Sequence, residues 1–67
     1  MRFIKSKLQI ALGKAGLNQS ELSEKIGISR VTISAIFNGK SCRPATAIKI
    51  ANGLCVDLDE IIIIEHD

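Results

Sequence analysis

The chain has 67 residues, with two Phe and no Trp or Tyr, a length that holds one domain and leaves little room for a deep substrate pocket. A domain this small buries only about 60% of the surface its unfolded chain exposes, and most enzyme classes are set aside on that ground. The net charge of +2 conceals a division: residues 1–49 hold nine basic groups and two acids, a net of +7, while residues 50–67 hold five acids and no base. A basic body of this size suits a polyanionic partner, the alternative being an ordinary solvated surface.

In chain order, residues 3–15 place Ile4, Leu8, Ala11, Leu12 and Ala15 on one helical face, and Gly16 suits the left-handed residue beyond the helix end. Phe3 and Ile10 lie seven apart on another face and read as a second packing surface. Asn18 with Glu21 three positions later forms a capping-box pattern, so helix two is expected over 19–26, with Leu22 and Ile26 inward and Gly27 as its stop. Ser29 is the next N-cap, and helix three spans about 30–38 before Gly39. Helix, short Gly-containing turn, helix is the pattern of a helix-turn-helix. Residues 40–43 form a polar loop. Pro44 suits a first helical position, and helix four spans about 44–53, with Ala47, Ile50, Ala51 and Leu54 apolar. Asp57 and Glu60 spell a second capping box for a last short helix, from which Leu58, Ile61 and Ile62 would face the core. Four consecutive β-branched Ile resist helix, so the chain is expected to become extended near Ile63.

No apolar run reaches the ~18 residues of a membrane span; the Ile run at 61–64 is only four long. Arg2, Lys5 and Lys7 precede no apolar segment of a signal peptide. Cys42 and Cys55 make no disulfide framework and, with one His at position 66, no zinc site. They read as reduced thiols of a cytoplasmic protein. No phosphate-binding or nucleophile-elbow motif is present, so no metal, cofactor or small-molecule ligand is expected.

The run Leu17-Asn18-Gln19-Ser20-Glu21-Leu22, then Gly27, Ile33, Ile36, Asn38-Gly39-Lys40, Arg43-Pro44, Ala51, Leu54, Val56 and Asp59 resembles the phage repressor and Cro family of helix-turn-helix DNA-binding domains. The resemblance runs from about residue 4 to residue 62. It implies an all-α, five-helix lambda-repressor-like bundle over the whole chain, and a sequence-specific regulator of transcription that binds double-stranded DNA. One departure is informative. Similar domains often carry an Arg late in helix one and a Glu late in helix three as a partly buried ion pair. Here those positions are Leu12 and Phe37, both apolar. Replacing a buried pair by packed apolar groups is often neutral or stabilising, so the two are expected to pack together.

At roughly 100° per residue, Ile33, Ile36 and Phe37 form the inward face of helix three, and Val31, Ser34, Ala35 and Asn38 point away. Small outward residues would let the helix lie deep in a groove, with Val31 and Ala35 against thymine methyls and Arg30 forked onto guanine. Tolerated surface residues, and for Arg30 a phosphate clamp, are the alternatives. Ser29, Thr32 and Ser34 can bond bases or phosphates. By resemblance Gln19 bonds the DNA backbone, and Asn38, Lys40, Ser41 and Arg43 follow a phosphate strand. Lys5, Lys7 and Lys14 read as solvated helix charges.

The resemblance also implies a homodimer, at least on DNA, with its interface at the C-terminal segment: Leu58, Ile61, Ile63 and Ile64. The alternative is that the last Ile residues cover the protein's own first helix. A chain of this length would be a Cro-like or short regulator if complete. A DNA-binding antitoxin, or a protein-interaction module acting on another helix-turn-helix protein, would use the same fold. Gln19, Arg30, Lys40 and Arg43 disfavour the latter.

Overall fold

The computed structural model describes residues 1–63. Five helices, α1 (Lys5–Lys14), α2 (Gln19–Ile26), α3 (Arg30–Phe37), α4 (Pro44–Leu54) and α5 (Leu58–Ile61), lie between two short strands, β1 (Arg2–Phe3) and β2 (Ile62–Ile63). The strands pair antiparallel, Arg2 opposite Ile63 and Phe3 opposite Ile62.

Local chemistry sets the middle three helices. The Asn18 side chain accepts from the Glu21 amide at 2.8 Å, and the Glu21 carboxylate accepts from the Asn18 amide at 3.0 Å. Two of the amides left unpaired at the start of α2 are thereby satisfied. Ser29 caps α3 through the Thr32 amide. At the far end of α3 the Lys40 amide reaches the Ala35 carbonyl and the Gly39 amide reaches that of Ile36. This Schellman closure requires the φ of +103° that Gly39 supplies without steric penalty. Pro44 opens α4.

The apolar faces meet in one core. Leu8, Leu22, Ile33, Ala47 and Ile50 are fully buried, and Ile36, Phe37, Ala51 and Leu54 are nearly so. Leu12 and Phe37, the apolar replacements for a charged pair, are both buried in this cluster. At Gly53 the side chains of α2 press directly on the backbone of α4. A Cβ there would stand 2.5 Å from Ile26 Cγ2, and Lys25 Nζ donates to the Gly53 carbonyl at 2.9 Å.

Several expectations from the sequence are corrected. Phe3 is not on a second helical surface with Ile10: it lies in β1, 2% exposed, whereas Ile10 is 57% exposed. The first helix starts at Lys5 with no side-chain cap, because the Ile4 amide is taken by the Ile61 carbonyl at 2.7 Å, a tertiary bond that continues the strand pairing. Ile62 is buried, but from β2 rather than from a helix. The Asp57 side chain makes no capping bond. In a single-turn helix the Glu60 amide, which the carboxylate would bond, is already held by the Asp57 carbonyl at 3.1 Å.

Candidate nucleic-acid interface

The short turn 27–29, with Gly27 in the left-handed conformation, sets α3 beside α2. Burial fixes how α3 is rotated. Ile33, Ile36 and Phe37 lock one side into the core, so the opposite side must face out. Val31, an apolar side chain, is 81% exposed. Ser34 and Ala35 are half-buried, and Arg30, Thr32 and Asn38 are exposed.

Two adjoining concavities share the Val31 and Ala35 edge. Gln19 from the start of α2 lines the first with Arg30, Val31, Ser34, Ala35 and Asn38. The second runs between α3 and the start of α4, past Thr32, Lys40, Ser41 and Arg43. Every residue read from the sequence as facing DNA lines one or the other except Ser29. Its hydroxyl donates to Thr32 Oγ1 at 2.9 Å and caps the helix. Thr32 and Ser29 therefore hold each other as a rigid pair at the N-terminus of α3.

Sequence reasoning passed over Cys42 and Thr46, which line the second concavity. Thr46 lies on the first turn of α4, two residues past Pro44, and that offset is the one signal that points toward the loop. Burial pushes the Cys42 thiol above its ordinary pKa, and the positive charge at the amino end of the chain pulls it part of the way back. The Cys42 amide donates to the Met1 carbonyl at 2.8 Å, which ties the loop to the beginning of the chain.

The electrostatics are one-signed. Residues 25–56 contain no Asp or Glu and carry Lys25, Arg30, Lys40, Arg43 and Lys49. The acids bounding this stretch are Glu24 and Asp57, and Glu21, two residues beyond Gln19, is engaged in its capping box. A concave, basic surface with an outward helix of small side chains can accept a phosphate backbone and, within it, the edges of base pairs. Among the described residues no cluster of His, Cys, Asp and Glu is arranged for a metal ion, and no helix is long and apolar enough to cross a membrane.

The residues expected at a dimer contact are dispersed. Ile61 is 3% exposed within the chain's own core, Leu58 is half-buried and Ile63 is 42% exposed. Ile64 lies outside the described residues. A shallow groove crosses α1 and α5: Ile10 and Val56 supply apolar surface, Lys7 and Lys14 line the α1 side, and Glu60 the α5 side.

Residues 8–61 match the Helix-turn-helix family of sequences. Curated relatives include HTH-type transcriptional regulators for the conjugative elements SXT of Vibrio cholerae and pMERPH of Shewanella putrefaciens. Each is 40% identical over 57 residues, which is 85% of this chain and 26% of the relative. An uncharacterized HTH-type transcriptional regulator of Methanocaldococcus jannaschii is 38% identical over 65 residues, covering 96% of this chain and 98% of its own length. The chain thus spans about a quarter of the conjugative-element regulators and nearly all of the archaeal one.

Proposed function

The chain belongs to the helix-turn-helix family of DNA-binding transcriptional regulators of the phage-repressor kind, and from that premise we propose that it is a Cro-like regulator that binds a palindromic operator as a homodimer, with α3 in the major groove. The observation that carries this reading is the convergence of Gln19 with the outward row Arg30, Val31, Ser34, Ala35 and Asn38 on one concave, acid-free surface.

In this reading α3 enters a groove about 12 Å wide. Its small side chains bring the helix close to the base edges. Val31 and Ala35, one turn apart on the exposed face, lie against thymine methyls. Arg30 forks onto guanine O6 and N7, worth about 1–3 kcal/mol of discrimination. Gln19, Asn38, Lys40, Ser41 and Arg43 grip phosphates and fix the register without reading sequence. Ser29 and Thr32 hold the helix start and offer hydroxyls to the backbone.

One such helix reads only a few base pairs. A two-fold pair places two of them about 34 Å apart, one turn of DNA. The groove across α1 and α5 supports this assembly. A two-fold interface must complement itself, and this groove has lysines on one side, a carboxylate on the other and apolar surface between. Half-buried Leu58 and exposed Ile63 are the other described apolar residues that this assembly would cover.

Selection of bound sites from random duplex DNA, followed by binding measurements across a range of salt, tests the proposal. The expected result is a palindrome with half-sites one turn apart and an affinity that falls steeply with salt. No binding to any duplex at low salt removes the DNA reading, and a single unrepeated half-site removes the dimer. If Ile63→Asp leaves both dimerisation and operator affinity unchanged, the tail is not in the interface.

A further inference from the structure

We propose that Lys5, at the opposite end of the chain from the acidic tail, is part of the DNA contact surface: a phosphate clamp delivered by α1 across the turn that ends α3. The proposal rests on the DNA reading above and adds a residue that neither the sequence motif nor the family match assigns.

Three observations support it. First, the Lys5 side chain runs over the Gly39 turn: a Cβ on Gly39 would lie 3.3 Å from Lys5 Cε and 3.9 Å from its Nζ. This brings the ammonium to the turn from which the loop bordering the second concavity leaves α3. Gly39 has no side chain to obstruct the crossing, so the turn chemistry and the placement of Lys5 share a cause. Second, the Lys5 side chain makes no hydrogen bond or ion pair with the described residues, and the stretch from residue 25 to residue 56, which includes the turn it overhangs, has no acid. Among the described residues no carboxylate pairs with this cation, and a phosphate running past the loop would supply the counter-charge. Third, Lys5 is the first residue of α1, the end at which the helix dipole disfavours a cation. The charge therefore does not serve α1 itself.

The stem of Lys5 is oriented by folding alone. Ile4 is fixed by its bond to the Ile61 carbonyl, and Met1 is fixed by the Cys42 amide, so the residues before α1 are bound to the core and to the loop at once. The DNA-facing rim then consists of Asn38, Lys40, Ser41 and Arg43 from the loop and Lys5 from above it.

The test compares Lys5→Met and Lys5→Arg with the unmodified protein on a duplex of about two helical turns that carries the selected site. Each phosphate contact contributes about 0.9 to the slope of log K against log salt. Lys5→Met is expected to flatten the slope by about 0.9 per protomer, with base preference unchanged and the melting midpoint of the free protein not lowered. Lys5→Arg is expected to retain the slope. A Lys5→Met slope equal to the unmodified one overturns the proposal, as does a changed base preference, which marks a displaced α3 instead of a lost phosphate. If the unmodified protein binds no duplex at all, the DNA reading itself falls, and this contact with it.

Discussion

Gly53→Ala tests how closely α2 and α4 are packed. The added methyl would stand 2.5 Å from Ile26 Cγ2 and 3.2 Å from Leu22 Cδ1. The Leu22 methyl ends a side chain that can turn slightly, but Leu22 is fully buried. The Ile26 methyl branches directly from Cβ and moves only with the backbone or with an unfavourable rotamer. Relief therefore comes from moving α2 away from α4, which also lengthens the bond from Lys25 Nζ to the Gly53 carbonyl. Overpacking of this kind costs about 1–3 kcal/mol. Against it stands the helix preference for Ala over Gly, at most about 1 kcal/mol in a helix interior and less here, since Gly53 is the penultimate residue of α4. The net loss is about 1–2 kcal/mol, a fall in melting midpoint of roughly 5–15 °C for a domain of this size, readable by circular dichroism. The same substitution made in an Ile26→Ala background, where Cγ2 is gone, should cost little or stabilise, a coupling of about 1 kcal/mol or more. An unchanged or raised midpoint for Gly53→Ala in the otherwise unmodified chain would refute the close approach.

Asn18→Ala removes the side-chain oxygen that accepts from the Glu21 amide while leaving the backbone amide that donates to the Glu21 carboxylate, and should cost about 0.5–2 kcal/mol, measured by denaturant unfolding; no loss would mean that tertiary packing alone holds the start of α2. Cys55 closes α4 in the left-handed conformation, φ 57° and ψ 42°, where a non-glycine residue loses roughly 1–2 kcal/mol. Cys55→Gly recovers part of that, offset by the greater freedom of Gly in the unfolded chain, so the melting midpoint should rise. Cys42 has its thiol pKa raised by burial above the ordinary 9.0. The folded state then keeps its proton where the unfolded state loses it. The stabilising contribution is whole below about pH 9 and declines as pH rises further. The fall in stability between pH 8 and pH 10 should accordingly be smaller in Cys42→Ala than in the unmodified protein. At neutral pH an alkylating reagent should modify exposed Cys55 before half-buried Cys42.

The dimer contact is where sequence and structure differ most in kind. Sequence alone offered the apolar residues Leu58, Ile61, Ile63 and Ile64 as one surface. Folding divides the described three: Ile61 is consumed by the core, Leu58 is half-buried and Ile63 stays accessible. Ile10, one helix away, proves the more exposed apolar neighbour. Nothing in the run of four Ile distinguishes its members, because burial there is set by what packs opposite.

The sequence by itself determined the helix-turn-helix and the face it presents. Asn18 with Glu21, Gly27, Ser29, Gly39 and Pro44 act on backbone groups within a few residues of themselves, and α2, α3 and α4 begin where those residues place them. The spacing of Ile33, Ile36 and Phe37 then fixed which side of α3 faces outward, since a helix buries its apolar stripe wherever the core lies. Tertiary structure decided what depends on partners distant in the chain. Phe3 enters the core because β1 pairs with β2 some 60 residues later, and two-residue strands have too short a period to read. Asp57 carries the letters of a capping box, but a one-turn helix uses the same amide for its backbone. Gly53 looks like a weak point in a helix until Ile26 stands over it. The division in charge was visible from the start, but the placement of Lys5 over Gly39 was not. A lysine's position in a helix gives its charge, and only the fold gives what that charge overhangs.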